Sequence, residues 1–211
     1  MINKMLKIYF TLAIILWSLV GNNVFAASGS ENPSSARQVV EDFQQVLLAV
    51  MKQGKDLGFQ GRYDKLDQTV RNSHYLYKIS RLVVGPEWKK LSKEQQNQFV
   101  DVFTDYSISA YANNFKEFDG ESFKYVSEEK TSQGGIVLHY LFQIPSERKD
   151  VKFDYMMKKN DEGWRILFII ADGVNDVALK RSEFSSIIEK QGFDALITKI
   201  KEKIDNYAKQ S

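Results

Sequence analysis

"GWRILFIIADG", residues 163–173, decides how this chain is put together. Read as a strand it is apolar on both sides: Trp164, Ile166, Phe168 and Ile170 fall on one face, Leu167, Ile169 and Ala171 on the other, with Arg165 the single interruption. A strand on a solvated sheet surface alternates apolar and polar residues, so one that does not is covered on both faces. The rest of the sequence must supply cover for two surfaces.

Working outward from it, three further strands are expected at 123–130, 136–144 and 151–159, with the quoted one spanning 164–171. Turn signals separate them at Gln133-Gly134-Gly135, at Pro145 with its charged sequel, and at Asn160-Asp161-Glu162-Gly163. Connections this short join antiparallel neighbours and leave no room for crossovers.

Helices flank the sheet on both sides in sequence. "SKEQ", Ser92 to Gln95, is a capping box opening a helix over 92–117 that carries Phe99, Val102, Phe103, Tyr106, Ala110, Tyr111 and Phe115. Before it, Ser34 or Ser35 caps a helix with Val39, Val40, Phe43, Val46, Leu47 and Val50 at helical spacing, up to about Gly54. Two shorter helical pieces follow at 62–72 and 75–84, the second stopped by Gly85-Pro86. After the sheet, helices at 176–190 and 193–208 flank Gly192; the last carries Phe193, Leu196, Ile197, Ile200, Ile204 and Tyr207. The order predicts an α+β chain, a four-stranded antiparallel sheet with a helical subdomain packed over it.

The N-terminus is of another kind. Lys4 and Lys7 precede an uncharged run from Ile8 to Val20, and Val24 and Ala26 fit the small-residue rule of a secretory cleavage site before Ala27. That run is shorter than the roughly 20 residues needed to span a bilayer. The expected parts are a signal peptide (1–26), a short flexible leader (27–34) and one domain (35–211), comprising a helical part (35–118), the sheet (119–172) and closing helices (173–211). An exported protein is expected.

Composition removes several function classes. The chain has no cysteine, which excludes disulfides, thiolate metal sites and a cysteine nucleophile. Of its 29 basic residues two lie in the signal, leaving 27 against 27 acidic ones and no basic stripe for nucleic acid. His74 and His139 are the only histidines, too few for a histidine metal cluster, and no nucleophile elbow, zincin motif or phosphate-cradling glycine loop is present. No catalytic residue, metal or cofactor is expected. The chain does hold 14 Phe, 10 Tyr and 3 Trp. Ile136, Leu138, Tyr140, Phe142 and Ile144, with Phe153, Tyr155 and Met157, add more apolar strand surface than one helical layer must cover. Aromatic and methionine linings suit a site for a flexible apolar ligand.

The arrangement resembles the MlaC (toluene-tolerance auxiliary) family of periplasmic lipid-binding proteins. Matching residues are Arg81, Gly85 and Trp88 in "RLVVGPEW", Gln95 and Phe99 after "LSKE", then Phe103 and Tyr111. Further on they are Trp164 and Gly173, Arg181 and Phe184 in "LKRSEFSSII", and Gly192 and Leu196 in "QGFDALI". "RYDKLD" at 62–67 and the stretch 178–197 look most like the hopanoid-associated HpnM branch. The chain departs from the family pattern at Phe168 and Lys180.

The resemblance implies an NTF2-like or cystatin-like fold enclosing an apolar lipid cavity. It further implies a monomeric carrier that takes phospholipid or hopanoid between inner and outer membranes. Implied partners are an inner-membrane ABC-type transporter with its substrate-binding membrane protein, and an outer-membrane lipoprotein complex. The lining is expected from Phe103, Tyr106, Tyr111, Leu138, Tyr140, Phe142, Phe153, Tyr155, Met157, Ile166, Phe168 and Ile170, between the sheet and the 92–117 helix. Arg181 is expected to orient a headgroup or dock a partner. Two other classes fit the residues. One is an assembly protein with a filled core, the other an NTF2-like enzyme using Asp154 or His139 as acid or base in an apolar pocket.

Overall fold

The computed structural model describes residues 35–210; the expected signal peptide (1–26) and leader (27–34) lie outside the described residues. Helix α1 (Ser35–Lys52) buries Ala36, Val40, Phe43, Leu47 and Val50 along one stripe. Helix α2 (Gly54–Ser73) is longer than its apolar pattern suggests, because a first turn precedes a break at Gly58, φ +61° and ψ −178°. That backbone state is open to glycine at little cost. Gly54 is held by space instead: a Cβ there would sit 1.9 Å from the Lys116 carbonyl oxygen. Buried Arg62 ties these pieces together, donating from Nε to the Ala112 carbonyl at 2.7 Å and from Nη1 to the Gly54 carbonyl at 2.6 Å.

Helix α3 (Leu76–Val84) passes through Gly85 into a 3-10 turn, Gly85–Lys90. Helix α4 (Lys93–Asn114) opens with the expected capping box: the Gln95 N–H donates to Ser92 Oγ at 3.2 Å and the Ser92 N–H to Gln95 Oε1 at 3.0 Å.

The strands are β1 (Ser122–Lys130), β2 (Gly135–Ile144), β3 (Lys149–Asn160), β4 (Gly163–Ala171) and β5 (Val174–Asn175). They form one antiparallel sheet in plain sequence order. The expectation of four strands, and with it the NTF2-like label, is corrected to an open five-stranded meander. Asp172 and Gly173 both hold positive φ, +48° and +82°, as a two-residue hairpin turn requires, and they fold Val174 and Asn175 back onto Ala171 and Ile170. Helices α5 (Asp176–Gln191) and α6 (Phe193–Lys209) complete the chain.

Two bulges set which residues share a face. In β4, Ile166 pairs with Met157 and Phe168 with Met156, so Leu167 is an extra residue and the parity flips there. The face expected to carry Trp164, Ile166, Phe168 and Ile170 is therefore split. Trp164 and Ile166 continue as Ile169 and Ala171, while Phe168 and Ile170 join Arg165 on the opposite side. In β1 the extra residue is Val126, and beyond it Ser127, Glu128, Glu129 and Lys130 are exposed.

Two apolar clusters result, one on each side of β4. The sheet-side cluster joins α1, α2 and the C-terminal half of α4 to Leu138, Tyr140, Tyr155, Met157 and Ile166. The helix-side cluster joins α3, the start of α4, α5 and α6, with Leu167 and Phe168 packed against it. Both faces of β4 are covered, as its sequence demands, by a different set of helices on each.

Candidate functional site

The strongest concentration of expected site residues is the sheet face beneath α1. Pairing places Phe142 opposite Val151, Tyr140 opposite Phe153, Leu138 opposite Tyr155 and Ile136 opposite Met157. Opposed residues of antiparallel strands point to the same face, so Leu138, Tyr140, Phe142, Phe153, Tyr155, Met157 and Ile166 are brought together. Tyr111 reaches this cluster from α4.

Phe103 and Tyr106 are not there. Phe103 lies stacked on Phe99 in the helix-side cluster, and Tyr106 stacks on Tyr207 of α6. The expectation that the whole 92–117 helix faces the sheet is thus corrected. Helical rotation and the position of α6 turn its first half away, and only Ile108, Tyr111, Ala112 and Phe115 face the sheet side. Phe168 and Ile170 are excluded from the face by the β4 bulge.

Helix α1 covers that face, which periodicity alone does not disclose. It meets the sheet through three polar residues one turn apart. Arg37 lies over the Tyr125 ring at 3.8 Å from its centroid, Glu41 Oε1 accepts from the Tyr140 hydroxyl at 3.4 Å, and Gln44 Nε2 donates to the Tyr155 hydroxyl at 3.2 Å. The three tyrosines form a row across β1, β2 and β3, with ring centroids 5.5 and 5.6 Å apart and edge-to-face geometry. Burial raises the pKa of Tyr140 and Tyr155, so both hydroxyls stay protonated.

A second polar cluster joins α2 to α4. The Ser73 hydroxyl gives its one proton to the Thr69 carbonyl at 2.7 Å, so the His74 Nδ1, 2.9 Å away, donates to Ser73 Oγ. That leaves Nε2 to accept from the Tyr111 hydroxyl at 3.0 Å. Burial holds His74 neutral, its pKa lowered from 6.5 to about 4, and raises that of Tyr111 well above its usual value. The His74 backbone is also fixed, bridging to Ile166 of β4.

The expected acid–base candidates lie elsewhere. His139 Nδ1 and Asp154 Oδ1 are 2.7 Å apart, each about one-third exposed, on the opposite face of the sheet from the tyrosine row. They pair with each other outside the apolar layer, so they are not an acid and a base inside it. Arg181 is exposed on α5 and lines an open hollow of about 490 Å³ with Pro86, Ala178, Ser182, Ser185, Ser186 and Glu189. Its Nε would be 3.1 Å from a Cβ on Gly85, so the guanidinium lies against that glycine. This hollow borders the helix-side cluster, not the sheet face. Among the described residues no group of three or more His, Cys, Asp and Glu side chains is placed to hold a metal ion.

Comparison with known proteins adds to this geometry. The family model described as "MlaC protein" matches residues 41–202. Among solved structures, the chain is similar to a phospholipid-binding protein from Ralstonia solanacearum, determined in complex with a phospholipid. The two are 21% identical, the match covers 83% of this chain and 99% of the other, and the TM-score is 0.73. At that identity the likeness is one of fold.

Proposed function

This chain belongs to the MlaC family, and from that premise we propose that it is a periplasmic lipid carrier that buries the tails of a phospholipid or hopanoid-type lipid and moves them between membranes. The observation that carries the reading is the sheet face under α1, an aromatic and aliphatic lining drawn from three successive strands with all its buried tyrosine hydroxyls engaged.

The physical need is plain. A two-chain lipid has on the order of 30 methylenes, and at roughly 0.8 kcal/mol each their exposure to water costs about 24 kcal/mol. A carrier must replace most of that contact with a lining free of unpaired charge. In this reading the tails enter between α1 and the strands, and side chains that now pack on each other pack on methylenes instead. No chemical step is involved. Direction and energy come from partners, an inner-membrane ABC-type transporter with its substrate-binding membrane protein and an outer-membrane lipoprotein complex.

The test is mass spectrometry of an organic extract from the mature protein, purified without detergent from a Gram-negative host that makes hopanoids. Stoichiometric lipid is expected, and its headgroup decides between phospholipid and the HpnM-like alternative. A blank from folded protein would favour the assembly-protein reading. Tyr140→Asp, which puts a carboxylate on the lining, is expected to abolish lipid co-purification; lipid retained by the folded variant would remove Tyr140 from the site.

A further inference from the structure

We propose that Arg37 is the headgroup site, binding the phosphodiester anion of the carried lipid, and that Glu41 is the resident anion it displaces. This rests on the carrier reading and names what that reading leaves open, where the polar end is held and what class of headgroup is preferred.

Polarity changes in order along one edge of α1. Gln44, at the inner end, is buried at 4% exposure and bonds the innermost tyrosine. Glu41 and Arg37, one and two turns outward, have side chains 27% and 25% exposed. The row therefore runs from a neutral amide in the apolar layer to a cation at the water boundary, the order of polarity that a lipid presents from tail to head. A lipid whose tails lie against Tyr140 and Tyr155 brings its head to Tyr125 and Arg37.

Arg37 is built to receive it. The Tyr125 ring fixes the plane of the guanidinium from below at 3.8 Å. Its Nε donates to Glu41 Oε1 at 2.8 Å, so a carboxylate already occupies one edge of the fork. Phosphodiester oxygens make the same charge-assisted bonds to guanidinium, in the bidentate geometry that favours arginine over lysine. Glu41 has a second partner in the Tyr140 hydroxyl when it is displaced. Arg181, the alternative cation, lines a hollow on α5 beside the helix-side cluster and meets none of the tyrosine row. The assignment selects a phosphate-bearing lipid over an uncharged polycyclic one.

Opposite signs at neighbouring residues make this testable. Delipidated protein is incubated with vesicles of digalactosyldiacylglycerol, a matrix lipid without phosphate, doped with fluorescent phosphatidylglycerol or fluorescent diacylglycerol, and bound label is read after the vesicles are removed. Arg37→Gln is expected to lower phosphatidylglycerol uptake about tenfold, the loss of one charge-assisted contact, and to leave diacylglycerol uptake unchanged. Glu41→Gln, which removes the competitor, is expected to raise phosphatidylglycerol uptake. A structural role for the ion pair predicts the same sign for both, each variant losing both lipids and melting earlier, and that result would overturn the proposal. So would wild-type discrimination retained by Arg37→Gln. If delipidated wild type binds inorganic phosphate beyond chloride at matched ionic strength while Arg37→Gln leaves phosphatidylglycerol uptake unchanged, the site takes the free anion and the lipid assignment falls. Wild type that takes up neither lipid brings down the carrier reading itself.

Discussion

The two apolar clusters on either side of β4 are built by different rules. On the helix side, Phe99 and Phe103 stack, Phe184 meets both edge-on, and Trp88 closes the group. Between its elements the Ser185 hydroxyl of α5 donates to the Val84 carbonyl of α3 at a long 3.4 Å. On the sheet side, buried and partly buried polar groups cross between elements: Gln44 of α1 to Tyr155 of β3, and His74 to Tyr111 of α4. Ring contacts of this kind are lost when the helices separate. Directed bonds hold a particular register and, once a layer opens, are readily exchanged for water or a ligand. One side has the construction of a permanent core, the other of a seam.

The largest expected effect tests the permanent side. Phe184→Ala empties a site with 0% exposure among three aromatic rings, and should cost about 3–5 kcal/mol in denaturant unfolding while leaving lipid content unaltered. Lipid loss from the folded variant would make the helix side part of the site.

Acid tests the seam. His74 is depressed by burial to about 4 from 6.5, so its contribution is fully present above pH 6.5 and is lost as pH falls toward 4. At about 1.4 kcal/mol per unit this is about 3 kcal/mol by pH 4. Hydrogen exchange at pH 5 and pH 7, corrected for intrinsic rates, should show the added opening in α1, β2–β3 and the end of α4 around Tyr111 before α5 and α6. Uniform loosening would erase the distinction.

The smallest effect is local. Tyr155→Phe leaves the Gln44 amide buried without its acceptor and should cost about 1–2 kcal/mol in thermal or denaturant unfolding. A neutral result would mean the amide finds water there, and that the seam is wetter than its closed packing indicates.

Much of this was legible in the sequence. Where a signal is local it survives: the Ser92–Gln95 box opens α4 as expected, and the β2 and β3 alternation correctly groups Tyr140, Tyr155 and their neighbours. The quoted strand misleads because it is apolar on both sides, so the parity change at Leu167 leaves no mark in its pattern. Asp172-Gly173 was a hairpin signal in plain view, but a two-residue returning strand is too short to show a period. Which surface α1 or the first half of α4 covers is a long-range matter. An amphipathic stripe says that a face is buried, not against what. Arg37 was missed for the same reason, since its meaning lies in Tyr125, 88 positions away.

The margins of the sheet carry a consequence of their own. Any β-rich protein that parts its layers risks recruiting a second copy, strand to strand, and so growing into fibres. Here β1 is kinked by the extra Val126 and ends in Glu128, Glu129 and Lys130, and the far edge is only two residues long before α5 begins. Neither border offers a straight, uncharged template. Such a molecule tolerates being opened at high local abundance, where a sheet with clean edges would precipitate.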